Sequence, residues 1–328
     1  MKTIRWGIIG CGNVTEVKSG PGFQKVENSA LVAVMRRNGV LAEDYARRHG
    51  VPKWYTRAED LINDPDVDAV YIATPPANHK EYTLQCAKAG KPVYVEKPMA
   101  MNYNECLTMI DECEKAGVSL FVAYYRRALP RFIKIKELIA AGAIGDVRFV
   151  TVKNYQTPTQ DEFEGVNLPW RVLPEVSGGG KFIDIGSHTL DILDYILGPI
   201  KEAKGTVSNQ AGLYPADDIV SANFLFSSGV HGSGVWCFTA FEHFDRNEIV
   251  GSKGKICFST FGAEPVKVFT ETGITEYPIE NPVTIQQPLI QTIVDQLNGK
   301  QACPSNDKSA ARTSWVMDQI TKEFNSQK

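Results

Sequence analysis

Short, unbroken apolar runs punctuate the first third of the chain. They fall at Ile4–Ile9, Leu31–Met35, Ala69–Ala73, Val93–Glu96 and Val118–Val122. A strand covered on both faces is apolar at nearly every position, so these runs predict a parallel sheet. Between them, Leu41–Arg48, Asn78–Ala89 and Tyr103–Ala116 read as helices, and Gly90 and Gly117 stand where left-handed helix caps belong. Strands alternating with helices build a doubly wound α/β sheet.

The pattern changes after Val122. Phe132–Ala141 reads as a helix, and strands then cluster at Val147–Tyr155, Ala203–Asn209, Ile219–Phe226, Val230–Phe238, Asn247–Gly251, Lys255–Ser259 and Val266–Phe269. One helix, Gly186–Leu197, interrupts them, and Pro288–Asn298 and Asp307–Asn325 close the chain as helices. This predicts an α+β domain with a mostly antiparallel sheet and few helices. The expected boundary lies near Val122–Tyr125, giving one domain over 1–123 and a second over 124–328. Trp236 and Phe238, beside Phe224 and Phe226, make a sheet face too apolar for solvent. It is expected to be a dimer interface, with a helix-covered core face as the alternative.

Composition narrows the class. The chain has 328 residues, a formal net charge of -3 and both signs of charge mixed along it. A nucleic-acid or membrane partner is therefore not expected, and no apolar run is long enough to span a bilayer. The start, Met1-Lys2-Thr3-Ile4, enters a strand directly and does not resemble a signal peptide. The seven cysteines are scattered and form no CxxC pair. That usage fits reduced thiols in a cytoplasm, without a metal site or a disulfide frame.

Three segments carry candidate chemistry. The first is Gly10-Cys11-Gly12-Asn13-Val14-Thr15, directly after the first strand. Gly10 permits a tight turn and Gly12 lets backbone approach a cofactor pyrophosphate; Asn13 and Val14 open the following helix. The third glycine position holds Thr15, small enough to keep helix and strand close. Gly20-Pro21-Gly22 opposes a continuous helix, so a short turn, a break and a restart near Phe23 are expected. At the end of the second strand, where an acid would bind the ribose hydroxyls of NAD, stand Arg36 and Arg37. Guanidinium groups bind a 2′-phosphate by charge-assisted hydrogen bonds, so NADP is favoured, with NAD the alternative. A basic loop paired with nearby carboxylates is the bland reading.

The second segment is Glu96-Lys97-Pro98, closing a strand that should end beside the ligand. A lysine there, its pKa lowered by burial or a neighbouring cation, can exchange a proton with an alcohol. The third is Gly178-Gly179-Gly180 followed by Asp184 and His188, an acid and an imidazole at helical spacing. The glycines allow backbone to approach a ligand; an N-cap aspartate with a surface histidine is the alternative. Asp191 and Asp194 read as dipole or salt-bridge partners.

Taken together, these segments resemble the glucose-fructose oxidoreductase / inositol dehydrogenase / rhizopine-catabolism (Gfo/Idh/MocA) family over nearly the whole chain. The resemblance includes Ala73-Thr74-Pro75-Pro76 with His79, Tyr124-Tyr125-Arg126-Arg127 and Trp170-Arg171. It implies a Rossmann domain, an open-sheet α/β partner domain, and NAD(P)-linked chemistry at a hydroxyl or carbonyl carbon of a sugar, cyclitol or related polyol. It also implies catalytic roles for Lys97, His188 and Asp184, and cofactor contacts from Thr74, Pro75, His79, Glu96 and Lys97. Substrate contacts are implied for Tyr124, Arg126, Trp170 and Arg171 as well as Asp184 and His188, and a cis Lys97–Pro98 bond is expected. Thr15, the Gly20-Pro21-Gly22 break and Tyr125, where many members carry histidine, depart from the pattern.

The function expected is an NADP-preferring oxidoreductase in a homo-oligomer, a dimer or dimer of dimers. Two rivals stand beside it: a glycosidase on the same fold that retains its NAD, and a cofactor-sensing regulator without turnover. The regulator would have no need to keep Lys97, Asp184 and His188 together, and Arg36-Arg37 argues against the glycosidase.

Overall fold

The computed structural model describes residues 1–325. Two compact units are formed, Met1–Leu129 with Pro282–Ala311, and Pro130–Asn281 with the chain from Arg312 on.

The first unit is built on six parallel strands: β1 (Ile4–Ile9), β2 (Ser29–Met35), β3 (Lys53–Tyr55), β4 (Ala69–Ile72), β5 (Val93–Val95) and β6 (Leu120–Val122). Their order is β3-β2-β1-β4-β5-β6. The order reverses beside β1, which creates a ligand crevice at the carboxyl ends of the strands. On one face an aromatic row packs: Trp6 against Phe23 at 5.0 Å, Phe23 against Tyr71 at 5.2 Å, and Tyr71 against Tyr94 at 4.8 Å.

The first helix is interrupted, and its second segment buries Phe23. Helical residues run Asn13–Val17 and again Gly20–Lys25, so the restart takes in Gly20-Pro21-Gly22 and does not wait for Phe23. Proline is tolerated in a first helical turn, where its missing N–H is not needed. A Cβ on Gly20 would lie 2.1 Å from Thr15 O, and one on Gly22 would lie 2.8 Å from Ile290 Cδ1. Both glycines thus serve close packing within the unit.

A single cut after residue 123 does not describe this unit. The chain returns to it at Pro282, because Gln287–Leu297 buries Leu289, Ile290, Ile293 and Val294 there. Each such side chain contributes roughly 1.5–3 kcal/mol on burial. Ser305 Oγ adds a bond to Val122 O at 2.7 Å.

The second unit carries eight strands: β7 (Val147–Tyr155), β8 (Ile200–Ser208), β9 (Ile219–Phe226), β10 (His231–Cys237), β11 (Phe244–Gly251), β12 (Gly254–Phe258), β13 (Val266–Thr270) and β14 (Gly273–Tyr277). They run β14-β13-β12-β11-β7-β10-β9-β8, all neighbours antiparallel except β7 and β10.

The apolar face expected to make a dimer is core. Trp236, Phe238, Phe224 and Phe226 are all buried within the unit. A Cβ on Gly232 would lie 2.0 Å from the Phe224 ring, and one on Gly234 would lie 2.5 Å from the Trp236 ring. The glycines of β10 make room for these rings to lie flat on the sheet. Phe182, at the start of the turn before Ser187–Leu197, meets Trp236 edge-on at 5.1 Å and covers it.

Candidate active site

In the first unit, β1 runs into the glycine turn. Gly10 has φ +90°, and a Cβ there would meet Thr74 Cγ2 at 2.9 Å. Gly12 is different: a Cβ on it would meet nothing nearer than Gly10 O at 3.8 Å. The turn is closed by Thr15, whose Oγ1 accepts the Gly12 N–H at 2.9 Å and donates to Gly12 O at 2.8 Å. The residue that departs from the glycine pattern therefore shapes the loop. Asn13 is exposed and Val14 half-buried at its rim. The open approach at Gly12 is what a dinucleotide pyrophosphate requires, so these residues fit such a group.

Arg36 and Arg37 follow the end of β2. Arg36 is half-buried and Arg37 exposed, and among the described residues neither has a carboxylate partner. Burial pushes the Cys11 thiol up to about 11, while the nearby Arg36 charge pulls it down. Arg36 is thus near enough to the glycine turn for its charge to act on Cys11.

Thr74 and Pro75, after β4, are half-buried beside this turn. His79 and Glu96, expected to contact the cofactor, have polar atoms that hydrogen-bond within the unit. The His79 ring is wholly buried, with Nδ1 3.0 Å from Pro98 O and Nε2 2.8 Å from Thr74 O. Burial lowers its pKa, against the pull of the two carbonyls and Glu96. The ring ties the Thr74 loop to the Lys97–Pro98 segment, whose peptide bond is cis.

Glu96 is held from three sides. Its Oε1 accepts the Tyr71 hydroxyl and Gln286 Nε2 at 2.7 Å, and its Oε2 accepts the Lys97 N–H at 3.2 Å. Burial, and then the Glu96 charge, hold the Tyr71 phenol well above its usual range, so it stays protonated and donates. Tyr94 Oη donates to Gln286 Oε1 at 2.7 Å, completing the chain. This network fixes the end of β5 from which half-buried Lys97 projects. Tyr124 and Arg126 follow β6; both are buried, and the Arg126 guanidinium lies 4.9 Å from the Tyr125 ring centre.

In the second unit, Asp184 and His188 do not sit on one regular α-helix. Phe182–Gly186 forms a π-helical turn leading into Ser187–Leu197. Such turns recur at functional sites. Gly186 permits this one, since a Cβ there would lie 2.6 Å from the Phe182 ring. The triple glycine also has a packing reason. A Cβ on Gly179 would lie 2.5 Å from Ile183, and one on Gly180 would lie 2.7 Å from Ala216 Cβ.

Asp184 and His188 are both buried. Arg171 Nε donates to Asp184 Oδ2 at 2.8 Å, and the same guanidinium stacks over Trp170 at 4.5 Å. The His188 ring meets the edge of Phe261 at 5.7 Å. Phe261 is 40% exposed, and Asp245 accepts both its N–H and the Ser259 hydroxyl at 2.6 Å. Asp194 is salt-bridged by Arg312 at 2.7 Å, while Asp191 accepts the Thr313 hydroxyl at 3.3 Å. The acid is thus oriented by a guanidinium, and the imidazole lies beside a partly exposed aromatic ring. This combination can hold a substrate hydroxyl and move its proton.

Gln286, Tyr71 and Phe261 were missed in the sequence. Their partners lie far away along the chain, Glu96 being 190 residues from Gln286. No local spacing signals them.

Residues 4–124 match the model of an oxidoreductase family with an NAD-binding Rossmann fold, and residues 132–257 match the Gfo/Idh/MocA C-terminal domain. The chain is 42% identical over 315 residues to "Oxidoreductase P35" of Formosa agariphila, covering 96% of this chain and 97% of that one. It is 32% identical over 235 residues to trans-1,2-dihydrobenzene-1,2-diol dehydrogenase of Mus musculus, covering 70% and 67%. Aldose-aldose oxidoreductase from Caulobacter crescentus, solved with glycerol, superimposes with a TM-score of 0.85 at 25% identity, covering 100% of this chain and 99% of that one. The chain belongs to the Gfo/Idh/MocA family and is an NAD(P)-dependent oxidoreductase.

Proposed function

We propose that the protein is an NADP-preferring dehydrogenase or reductase that interconverts a hydroxyl and a carbonyl carbon on a ring-shaped polyol, a sugar or cyclitol. The acid–imidazole pair of the second unit carries this reading: Asp184 aligned by Arg171, and His188 set beside Phe261. A saturated ring bearing hydroxyls needs polar groups for its oxygens and aromatic faces for its C–H surface. Trp170 and Phe261 supply the second requirement. The names of a relative and a structural neighbour, a dihydrodiol dehydrogenase and an aldose oxidoreductase, point to the same chemistry.

A bound nicotinamide would supply hydride acceptance and donation. Gly10, Gly12, Asn13 and Val14 would hold its pyrophosphate, and Thr74 and Pro75 would flank its ribose. Arg36 and Arg37, without carboxylate partners, would bind the 2′-phosphate that separates NADP from NAD. Lys97 and His188 are the proton carriers in this reading; Asp184 polarises the substrate hydroxyl, and Tyr124, Arg126, Trp170 and Arg171 contribute to its recognition. Assembly into a dimer or dimer of dimers belongs to the reading too, without the buried Trp236 face as its contact.

The test is a panel of cyclitols, aldoses and alicyclic diols, each offered with NADP and with NAD while absorbance at the reduced-nicotinamide band is followed. Turnover on a ring polyol with the higher kcat/KM for NADP is expected. A panel without turnover would overturn the reading, and equal kcat/KM for the two cofactors would remove the NADP preference.

A further inference from the structure

The second unit contains a charged pair with no part in the chemistry just described. Lys181 and Glu162 are both buried, with side-chain exposures of 7% and 1%, and Lys181 Nζ donates to Glu162 Oε2 at 2.7 Å. The same oxygen accepts the Thr159 N–H at 2.9 Å, closing the first turn of Gln160–Glu164. Lys181 Nζ lies 5.7 Å from the ring centre of Tyr214. Glu162 Oε1 and the Tyr214 hydroxyl are buried without hydrogen-bond partners. Three segments meet here: a short helix, the loop before β9, and the entry to the π-helical turn.

Burying two charges costs desolvation, and apolar residues of similar volume often hold such a place as well or better. Stability alone does not account for the pair. What an ion pair adds is a fixed direction, and its place in the chain gives that direction a use. Lys181 immediately precedes Phe182–Gly186, the turn that carries Asp184. From Glu162 the chain runs on to Arg171, which binds Asp184 at 2.8 Å. Residues 162–171 are therefore pinned to the turn twice, Glu162 on Lys181 and Arg171 on Asp184.

We infer that the buried Glu162–Lys181 pair is a positioning clamp that sets the π-helical turn, and through it the orientation of Asp184 and His188. Its catalytic consequence rests on the proposed function; its geometric consequence does not. Neither residue touches substrate, and both act through the turn.

The test compares wild type with the double variant Glu162→Met/Lys181→Met, which leaves no charge buried alone. Three readouts are taken: the NMR titration of the His188 imidazole, identified by its loss in His188→Asn; amide exchange over Phe182–Gly186; and steady-state kinetics. The double variant should keep wild-type circular dichroism and NADP affinity. Its His188 titration should move and exchange in the turn should rise. Its kcat should fall by up to about 10²-fold, the scale of a catalytic group displaced by about 1 Å. Glu162→Gln, which keeps an acceptor for Lys181, should fall between the two. A folded double variant with wild-type titration and exchange would overturn the clamp. Should the double variant not fold, Glu162→Gln carries the same readouts, and wild-type titration and exchange in it would overturn the clamp equally. A wild type inert toward every polyol counts against the proposed function, while titration and exchange still decide the clamp.

Discussion

Arg36, for the cofactor, and Lys97, for the proton, can each be tested alone. Replacing Arg36 by Asp, with Arg37→Gln, removes the charge-assisted bonds to a 2′-phosphate. Each is worth about 1.5–3 kcal/mol, roughly 10- to 150-fold in affinity. NADP binding should weaken by at least that factor while NAD binding changes little, as titration of both cofactors would report. Equal losses for both would take the preference away from Arg36. Lys97→Met keeps the apolar stem and removes the ammonium. Proton transfer from a positioned group is typically worth about 10²–10⁴-fold, so kcat should fall by that much. NADP binding, followed by tryptophan quenching, should persist; near-normal kcat would move the proton to His188. At this scale the sequence shows which residue types stand at strand ends, and not where their polar atoms turn. The bonds of Glu96 and His79 go to Tyr71, Gln286, Thr74 and Pro98, partners that no local spacing announces.

Among the elements, those with a strong burial signal were legible. The buried parallel strands and the helix Tyr103–Ala116 fall where their apolar periodicity puts them. Elements without such a signal were not. β3 has three residues, none fully buried, and β14 is exposed along nearly its whole length, so neither shows a buried face. Gly-rich segments were the hardest, because a glycine that admits a ligand and one that admits a neighbouring side chain look alike in a sequence. A contrast between two variants separates them. Gly180→Ala puts a methyl 2.7 Å from Ala216 Cβ, so it should destabilise the protein by about 1–3 kcal/mol in urea denaturation. Gly12→Ala meets nothing nearer than 3.8 Å and should stay within about 0.5 kcal/mol of wild type, yet weaken cofactor binding. Unchanged cofactor affinity in Gly12→Ala would count against Gly12 as the place where a pyrophosphate approaches.

For the molecule as a whole, the sequence conveys two folding units but not their discontinuity. Helical periodicity over Gln287–Leu297 announces a buried face without saying which unit buries it. The same ambiguity made a core sheet face look like an interface, since Trp236 and Phe224 are as apolar under a helix as they would be between subunits. No helix among the described residues is long and apolar enough to cross a membrane. The central claim is that this chain moves a hydride between a polyol carbon and a nicotinamide. The most direct measurement uses a polyol found active in the panel, deuterated at the carbinol carbon, with NADP as acceptor. Deuterium should appear at C4 of the reduced nicotinamide, on one face only, and not in water. Deuterium lost to solvent, or a product formed without labelled nicotinamide, would contradict the account.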